Sequence, residues 1–231
     1  LQQMVGLKQV KTIVDEILDY TRVQKLCADP DAAQTHPSFH MVFTGNPGSA
    51  KTTVARLIAE ILAENQVLYR GKLHEVGRSD LVGKYVGWTA KLVKEAFEKA
   101  KGSVLFIDEA YSLVDKQGSF GDEAINAIVQ EMENSRGSTV VIFAGYPDKM
   151  EHFLDRNPGL RSRIAFHVPF DDYTPEELVE ITGLLAAQKR LSLAPGTEEK
   201  LLSIYRQAVG TPDFGNGRLA RNLLERACIR Q

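Results

Sequence analysis

The chain has 231 residues, of which 43% are hydrophobic and 25% charged, with 28 Lys and Arg against 30 Asp and Glu, for a formal net charge of −2. This composition is that of an ordinary globular protein and excludes the collagen-like, mucin-like and disordered classes. The balance of charges gives no general attraction to nucleic acid. Cys27 and Cys228 have no CxxC spacing, which argues against a zinc module or a disulfide scaffold and favours a reducing compartment.

The start of the chain shows no targeting signal. No run approaches the roughly 18 apolar residues that a membrane-spanning helix needs. The first residues, Leu1-Gln2-Gln3-Met4, lack the basic and apolar regions of a signal peptide, and the sequence begins without an initiating methionine. We therefore expect a cytoplasmic protein, and we expect these residues to be a fragment of a longer chain.

Short β-rich runs alternate with amphipathic helical stretches as far as Pro169. This alternation is typical of an α/β fold with a mostly parallel sheet. Helices are predicted in the stretch after residue 50 and near 91–101 and 122–133. The five predicted strands cover residues 39–43, 73–76, 104–107, 139–144 and 164–168.

The pattern changes after Pro169. Thr174-Pro175-Glu176-Glu177 has the features of a helix start: threonine as the N-cap, proline at the first helical position and glutamate three residues after the cap. Helices are predicted around 175–190, 197–209 and 217–229, with no strand among them. We therefore expect an α/β domain over residues 1–171 and a small helical domain, the lid, over residues 172–231.

A glycine-rich turn joins the first predicted strand to the helix that follows it. This is the context of a phosphate-binding loop, in which backbone N–H groups and a helix N-terminus surround the β-phosphate. Lys51 is expected to pair with the β- and γ-phosphate oxygens of ATP, and the Thr52 hydroxyl to bind Mg²⁺. The residues expected to contact the nucleotide here are Asn46, Pro47, Gly48, Ser49, Ala50, Lys51, Thr52 and Thr53.

One residue of this loop departs from the usual pattern, because Ala50 stands before the lysine where glycine is usual. We expect Ala50 to have right-handed helical dihedral angles just inside the helix. Alanine adopts these angles without strain, so phosphate binding is expected to survive.

Two carboxylates end the third predicted strand. The apolar run Val104-Leu105-Phe106-Ile107 is followed by Asp108 and Glu109. In an open parallel sheet, the carboxyl end of such a strand lies beside the phosphate-binding loop. Asp108 is expected to hold Mg²⁺ through water, and Glu109 to act as the general base toward the attacking water.

Together these segments resemble the AAA+ ATPases, and within them the branch of the stage V sporulation protein K family and the red-type Rubisco activases. The overall resemblance favours the sporulation type. It covers essentially the whole chain. The segments that carry it are residues 5–7, 10–11, 80–87, 105–112, 144–146, 157–163 and 215–218.

The resemblance implies roles for several arginines. Arg163 is the better candidate for an arginine finger that reaches a neighbouring subunit's site, with Arg161 beside it. The alternative is a pair of surface arginines bound to Asp171 or Asp172.

In the lid, Arg218 corresponds to the sensor 2 arginine that folds the lid onto the nucleotide, and Arg221 is its competitor one helical turn away. Val5, Gly6 and Leu7 resemble the segment that packs on adenine, although a hydrophobic staple would look similar. The sensor 1 position, often an asparagine, is occupied by Tyr146, and its role stays open.

Tyr85-Val86-Gly87 resembles the pore loop with which related remodelling ATPases grip an extended polypeptide. Trp88 follows it directly. An aromatic residue on an exposed loop is costly unless it binds something. The alternative is that Tyr85 and Trp88 anchor the loop in a core.

The sequence therefore predicts a ring-forming AAA+ ATPase, a homo-oligomer of hexameric type, that couples Mg²⁺-dependent ATP hydrolysis to remodelling of a protein client. No membrane partner is expected, and the charge balance disfavours nucleic acid. One alternative is an AAA+ ATPase of the clamp-loader or branch-migration type that acts on DNA. Another is a nucleotide-gated binding module with little turnover, for which Ala50 and Tyr146 are the support.

Overall fold

A five-stranded sheet, in which every pairing is parallel, forms the centre of the protein in a computed structural model. The structure describes residues 4–27, 38–83, 85, 87–114, 119–211 and 214–230. The strands are β1 (Met41–Gly45), β2 (Leu73–Val76), β3 (Val104–Ile107), β4 (Val140–Gly145) and β5 (Phe166–Phe170). Their order across the sheet is β2-β3-β4-β1-β5, which makes β2 and β5 the edge strands.

Helices cover both faces of the sheet, and the elements after β5 in the described residues are all helices. Within the described residues, no helix is long and apolar enough to cross a membrane. A short 3₁₀ helix spans Ala110–Leu113. The α-helices are α1 (Lys8–Cys27), α2 (Lys51–Glu64), α3 (Arg78–Leu81), α4 (Trp88–Lys99), α5 (Ser119–Asn134), α6 (Pro147–Asp155), α7 (Pro158–Arg161), α8 (Pro175–Gln188), α9 (Thr197–Ala208) and α10 (Gly217–Ile229).

Two apolar clusters, one on each face, hold the helices to the sheet. Successive side chains of a strand point to opposite faces, so β3 contributes Leu105 and Ile107 to one cluster and Val104 and Phe106 to the other. The first cluster packs against α4, α5 and α6, and the second against α1 and α2. Because both faces are covered, β3 and β4 are buried along their whole length and consist almost wholly of apolar residues.

The three C-terminal helices have a smaller apolar cluster of their own, built around Tyr205 and Leu178. Leu7 packs against both this cluster and the one on α1 and α2, and so joins the two parts of the chain. The predicted helix start is confirmed: the Glu177 N–H donates to Thr174 Oγ1 at 3.2 Å, and the Thr174 N–H donates to Glu177 Oε2 at 2.9 Å.

The fold class is confirmed, whereas several element ends differ from their prediction. Strands 73–76 and 104–107 have the predicted ends. By contrast, β1 and β5 both begin and end later than predicted, and β5 continues through Pro169. Proline has no N–H to give to a sheet, and it is tolerated here because β5 is an edge strand. The helices α4 and α5 begin before the predicted 91 and 122.

His40, directly before β1, is buried and has a structural role. Its Nδ1 accepts the Val141 N–H at 3.0 Å. Burial lowers its pKa to about 4, so the ring is neutral at physiological pH. Its carbonyl oxygen accepts the N–H groups of Ala165 and Phe166, which fixes the start of β5 against β1.

Candidate nucleotide-binding site

The loop between β1 and α2 forms the centre of the candidate site. Lys51 is the first residue of α2, and its ammonium donates to the carbonyl oxygens of Gly45 at 2.8 Å and Asn46 at 2.9 Å. The buried Ser49 hydroxyl donates to the same Asn46 oxygen at 2.8 Å. Burial lowers the pKa of Lys51, with the carboxylates of Asp108 and Glu109 opposing the shift. The loop therefore presents a partly desolvated cation at a helix N-terminus, which fits a phosphate chain.

The right-handed helical conformation expected for Ala50 is wrong. Ala50 is the N-cap of α2, outside the helix, and has φ 69° and ψ 18°, in the left-handed region. Glycine adopts this conformation freely. For an L-residue with a Cβ, this conformation costs about 1–2 kcal/mol. Alanine at this position is therefore a strained substitute for glycine.

Asp108 and Glu109 follow β3 at the same edge of the sheet, as the sequence predicts. The Glu109 N–H donates to Asp108 Oδ1 at 3.0 Å, and Glu109 has φ 50° and ψ 43°. A non-glycine residue in this region stores roughly 1–3 kcal/mol of strain, which is common at functional positions. Burial first, and then the neighbouring Asp108 charge, raise the pKa of Glu109, as suits a base.

A cation that the sequence reasoning missed lies beside these acids. Lys149, on the first turn of α6, has its Nζ 4.6 Å from the ring centroid of Tyr111 and 4.9 Å from that of Tyr146. Its charge opposes the upward shift of the Glu109 pKa. Lysine three residues after Tyr146 was the available signal, since these positions share one face of a helix. Tyr146 itself is the N-cap of α6.

The oxygen groups near Lys51 also fit a magnesium ion. Thr52 stands in the first turn of α2 and Asp108 is exposed at the end of β3. Within the described residues, no group of three or more His, Cys, Asp or Glu could hold a metal. Magnesium is commonly held by one or two protein oxygens together with substrate phosphates, so these two residues are a sufficient protein contribution.

The lid contacts the phosphate-binding loop directly. Gly217, at the start of α10, donates its N–H to Gly48 O at 3.1 Å, and a Cβ at Gly48 would lie 2.2 Å from Gly215 O. Arg218 is the next residue of α10, and its charge lowers the pKa of Lys51. Arg221 is exposed one turn further along. The geometry therefore favours Arg218 over Arg221 as the cation nearest to the loop.

A buried amide that the sequence reasoning missed joins the lid, the segment between β5 and α8, and the loop between β1 and α2. Asn216 is fully buried, and its Oδ1 accepts the Tyr173 N–H at 2.9 Å. Its Nδ2 donates to Asp172 Oδ1 at 2.7 Å and to Pro47 O at 3.4 Å. Asn46 Nδ2 donates to both carboxylate oxygens of Asp172 at 3.0 Å. The sequence gives no local signal for these contacts, because Asn46, Asp172 and Asn216 lie far apart in the chain.

Val5 and Gly6 lie where the two parts of the chain meet. Val5 is buried, and Gly6 has φ 61°. A Cβ on Gly6 would lie 2.6 Å from Glu177 Oε1 of α8. The segment predicted to pack on adenine is therefore in contact with the lid.

Arg161 and Arg163 precede β5, so they lie at the opposite end of the parallel strands from Lys51. The predicted alternative partners, Asp171 and Asp172, are wrong. Arg161 pairs with Asp155, and Arg163 Nε lies 3.4 Å from Glu133 Oε2. The aspartates follow the other end of β5, and the length of that strand separates them from both arginines.

The predicted pore loop lies between α3 and α4. Tyr85 and Trp88 expose 64% and 57% of their surface, so the alternative that they anchor the loop in a core is wrong. Their rings contact edge to face with centroids 5.3 Å apart. Gly87 has φ 79° and no atom within 4 Å of a Cβ placed on it. Val86 lies outside the described residues.

Comparison with protein-family models matches two regions. Residues 41–171 match the model of the ATPase family associated with various cellular activities, abbreviated AAA. The chain belongs to the AAA family of ATPases. Residues 174–231 match the AAA lid domain. The AAA domain of FIGL-1, solved in complex with ADP, has the same fold, with a TM-score of 0.66, 21% identity, and coverage of 98% of this chain and 72% of that one.

Curated relatives resemble this AAA ATPase over its whole length. The chloroplastic ribulose bisphosphate carboxylase/oxygenase activase of Cyanidioschyzon merolae is 44% identical, with 100% of this chain and 79% of the relative covered. Protein CbbX of Cereibacter sphaeroides is 44% identical, with 100% and 75% covered. The AAA ATPase is thus of the Rubisco activase and CbbX type. These relatives do not support the predicted preference for the sporulation type.

For this AAA ATPase we predict that Ala50→Gly raises the free energy of unfolding by about 1 kcal/mol, because glycine removes the left-handed strain. Urea unfolding of the nucleotide-free protein measures it. The matched control is Ala90→Gly on the exposed face of α4, which should lower the free energy of unfolding by up to about 1 kcal/mol. A loss of stability in both variants would contradict the strain.

We further predict that Lys149→Met moves the acid limb of the pH profile of kcat/KM to higher pH. The lysine cation favours the charged form of Glu109, so its removal raises the pKa of Glu109 and protonates the base at a higher pH. Lys149→Arg keeps the charge and should keep the wild-type profile. If Lys149→Met scaled the rate equally at every pH, Lys149 would not act through Glu109.

Proposed function

We propose that this AAA ATPase works as a homo-oligomeric ring, of hexameric type, in which Arg163 of one subunit completes the ATP site of the next. One observation carries the proposal: Arg163 and the Lys51–Glu109 site lie at opposite ends of the strands of the same parallel sheet. Arg163 precedes β5, which runs parallel to the β1 strand that leads into the loop.

The distance between the two ends of the strands supports a site that is shared by two subunits. β1 has 5 residues, so at roughly 3.3 Å per residue about 16 Å of sheet separates its two ends. An arginine side chain cannot span this length inside its own subunit. In a head-to-tail ring, each subunit presents the end that carries Arg163 to the nucleotide site of its neighbour. Arg163 can then meet the γ-phosphate only across an interface.

The residues of one site divide the chemistry among them. Lys51 neutralises the β- and γ-phosphate oxygens, and the loop from Asn46 to Thr53 supplies the surrounding N–H groups. Glu109 accepts a proton from the attacking water. Thr52 and Asp108 would hold Mg²⁺, which supplies charge neutralisation and orientation of the phosphates when bound. Arg218 holds the lid against the nucleotide, and the Val5–Gly6 segment packs on its adenine.

The work of the ring is remodelling of a protein client, and the loop of Tyr85, Val86 and Gly87 is the part that grips it. Tyr85 and Trp88 together present an exposed aromatic pair, and the positive φ of Gly87 in open space allows the loop to move. The similarity to Rubisco activase makes ribulose bisphosphate carboxylase/oxygenase the first client to test.

The shared site is tested by mixing two inactive variants. Arg163→Ala keeps Glu109 but lacks the finger, and Glu109→Gln keeps the finger but lacks the base. Each variant should lose at least about 1,000-fold in kcat or its full measurable activity. An equal mixture should regain phosphate release, because roughly a quarter of the interfaces in a randomly mixed ring combine an intact base with an intact finger.

The matched control is Arg156→Ala, an exposed arginine at the end of α6, which should keep wild-type turnover. The proposal also requires turnover per chain to rise with protein concentration. Wild-type turnover by Arg163→Ala, or a mixture with no recovery, would contradict a finger supplied in trans.

The role of the loop is tested by Tyr85→Ala. We expect ATP hydrolysis to persist within about threefold while client remodelling falls below about a tenth, because the aromatic side chain touches the client and not the nucleotide. Tyr69→Ala, an equally exposed tyrosine on another surface, is the control and should keep both activities. Remodelling by Tyr85→Ala at the wild-type rate would remove the loop from the mechanism.

A further inference from the structure

The backbone of Arg163 is fixed at both sides of its Cα. The Ser38 hydroxyl donates to Arg163 O at 2.9 Å, and the Arg163 N–H donates to Leu160 O at 2.9 Å. On the side chain, Nη1 donates to Gly159 O at 3.0 Å. These contacts hold the Cα and one nitrogen of the guanidinium.

The second support of the guanidinium comes from a different element. Glu133, in the last turn of α5, has Oε2 at 3.4 Å from Arg163 Nε, an atom that is buried. Its other oxygen, Oε1, lies 3.5 Å from Arg136 Nη1. The adjacent Met132 is buried in the core cluster of α5, so the carboxylate stands on a rigid helix. One carboxylate therefore bridges two arginines.

The arrangement leaves one end of the guanidinium available. Nη1 donates to Gly159 O, Nε makes an ion pair with Glu133 but no hydrogen bond, and Nη2 has no hydrogen-bond partner among the described residues. An arginine that is held by one hydrogen bond and one ion pair has fewer rotamers than a free one. Its free nitrogen then points in one direction, and a neighbouring phosphate can meet it without a further loss of side-chain freedom.

We propose that Glu133 is the positioning residue of the arginine finger: it holds Arg163 Nε so that Nη2 projects toward the γ-phosphate of the adjoining subunit. The inference rests on the proposed function of Arg163. A pair that is 33% and 51% exposed adds little to stability, so the value of this carboxylate lies in orientation. Glu133 itself touches neither nucleotide nor water in the reaction.

The test is Glu133→Gln in the full chain, with steady-state ATP hydrolysis and a thermal melt. We expect kcat to fall about tenfold, because a mispositioned catalytic group costs up to about 100-fold. KM for ATP should stay within about twofold, since the finger acts in the transition state. The melting temperature should be that of the wild type. Wild-type kcat, or a rise in kcat, would overturn the proposal.

Two further variants separate orientation from other effects. Arg136→Gln removes the other partner of Glu133 and should leave kcat within about twofold, because the Arg163 contact is retained. Glu133→Gln added to Arg163→Ala should cause no further loss, since the two residues act as one unit. A further tenfold loss in that double variant would assign Glu133 a separate role.

The same variants distinguish the proposed finger role of Arg163 from the proposed positioning role of Glu133. Full turnover by Arg163→Ala would refute the finger itself, and the role of Glu133 with it. Inactive Arg163→Ala together with fully active Glu133→Gln would refute the positioning role alone. In a mixture with Glu109→Gln chains, whose Glu133 is intact, the Glu133→Gln chains should regain turnover, because their own sites then receive a correctly held finger.

Discussion

Parallel pairing of all five strands is the constraint on which the rest of this structure depends. It brings the ends of β1 and β3 to one edge, where Lys51 and the acids Asp108 and Glu109 meet. The same pairing puts the start of β5, with Arg163, at the other edge. On the proposed role of Arg163, each subunit carries the two parts of the ATP site at opposite ends of its strands, and the length of the strands requires a second copy to bring them together.

Beside Lys51 and Asp108, nearby cations oppose the effect of burial on the pKa of Glu109. Asp108 and Glu109 are adjacent carboxylates, and their repulsion adds to the desolvation that raises the pKa of Glu109. Lys51 and Lys149 oppose this shift from two sides, and Lys149 is held between two tyrosine rings. These two cations favour the charged form of Glu109, the residue proposed as the base.

The sequence predicted the architecture and the position of the phosphate-binding loop because both depend on local patterns. Apolar runs between turn residues located all five strands, and the cap at Thr174 located the lid helix. The conformation of Ala50 was not predictable, because the geometry of the whole turn decides it and not the residue itself. The contacts of Asn216 with Tyr173 and of Glu133 with Arg163 were missed for another reason: each joins elements far apart in the chain, which spacing does not reveal. The contact of Lys149 with Tyr146, three residues before it, had a local signal that was not used.

The amide of Asn216 has a mechanical consequence. It is bonded at once to the backbone of Tyr173, to the carboxylate of Asp172 and to the carbonyl of Pro47, and Asp172 is bonded in turn to Asn46. A rotation of the C-terminal helices away from the turn between β1 and α2 has to strain these bonds, together with the bond from Gly217 N–H to Gly48 O. Movement of those helices is thereby coupled to the conformation of that turn, through a side chain that is itself fully buried.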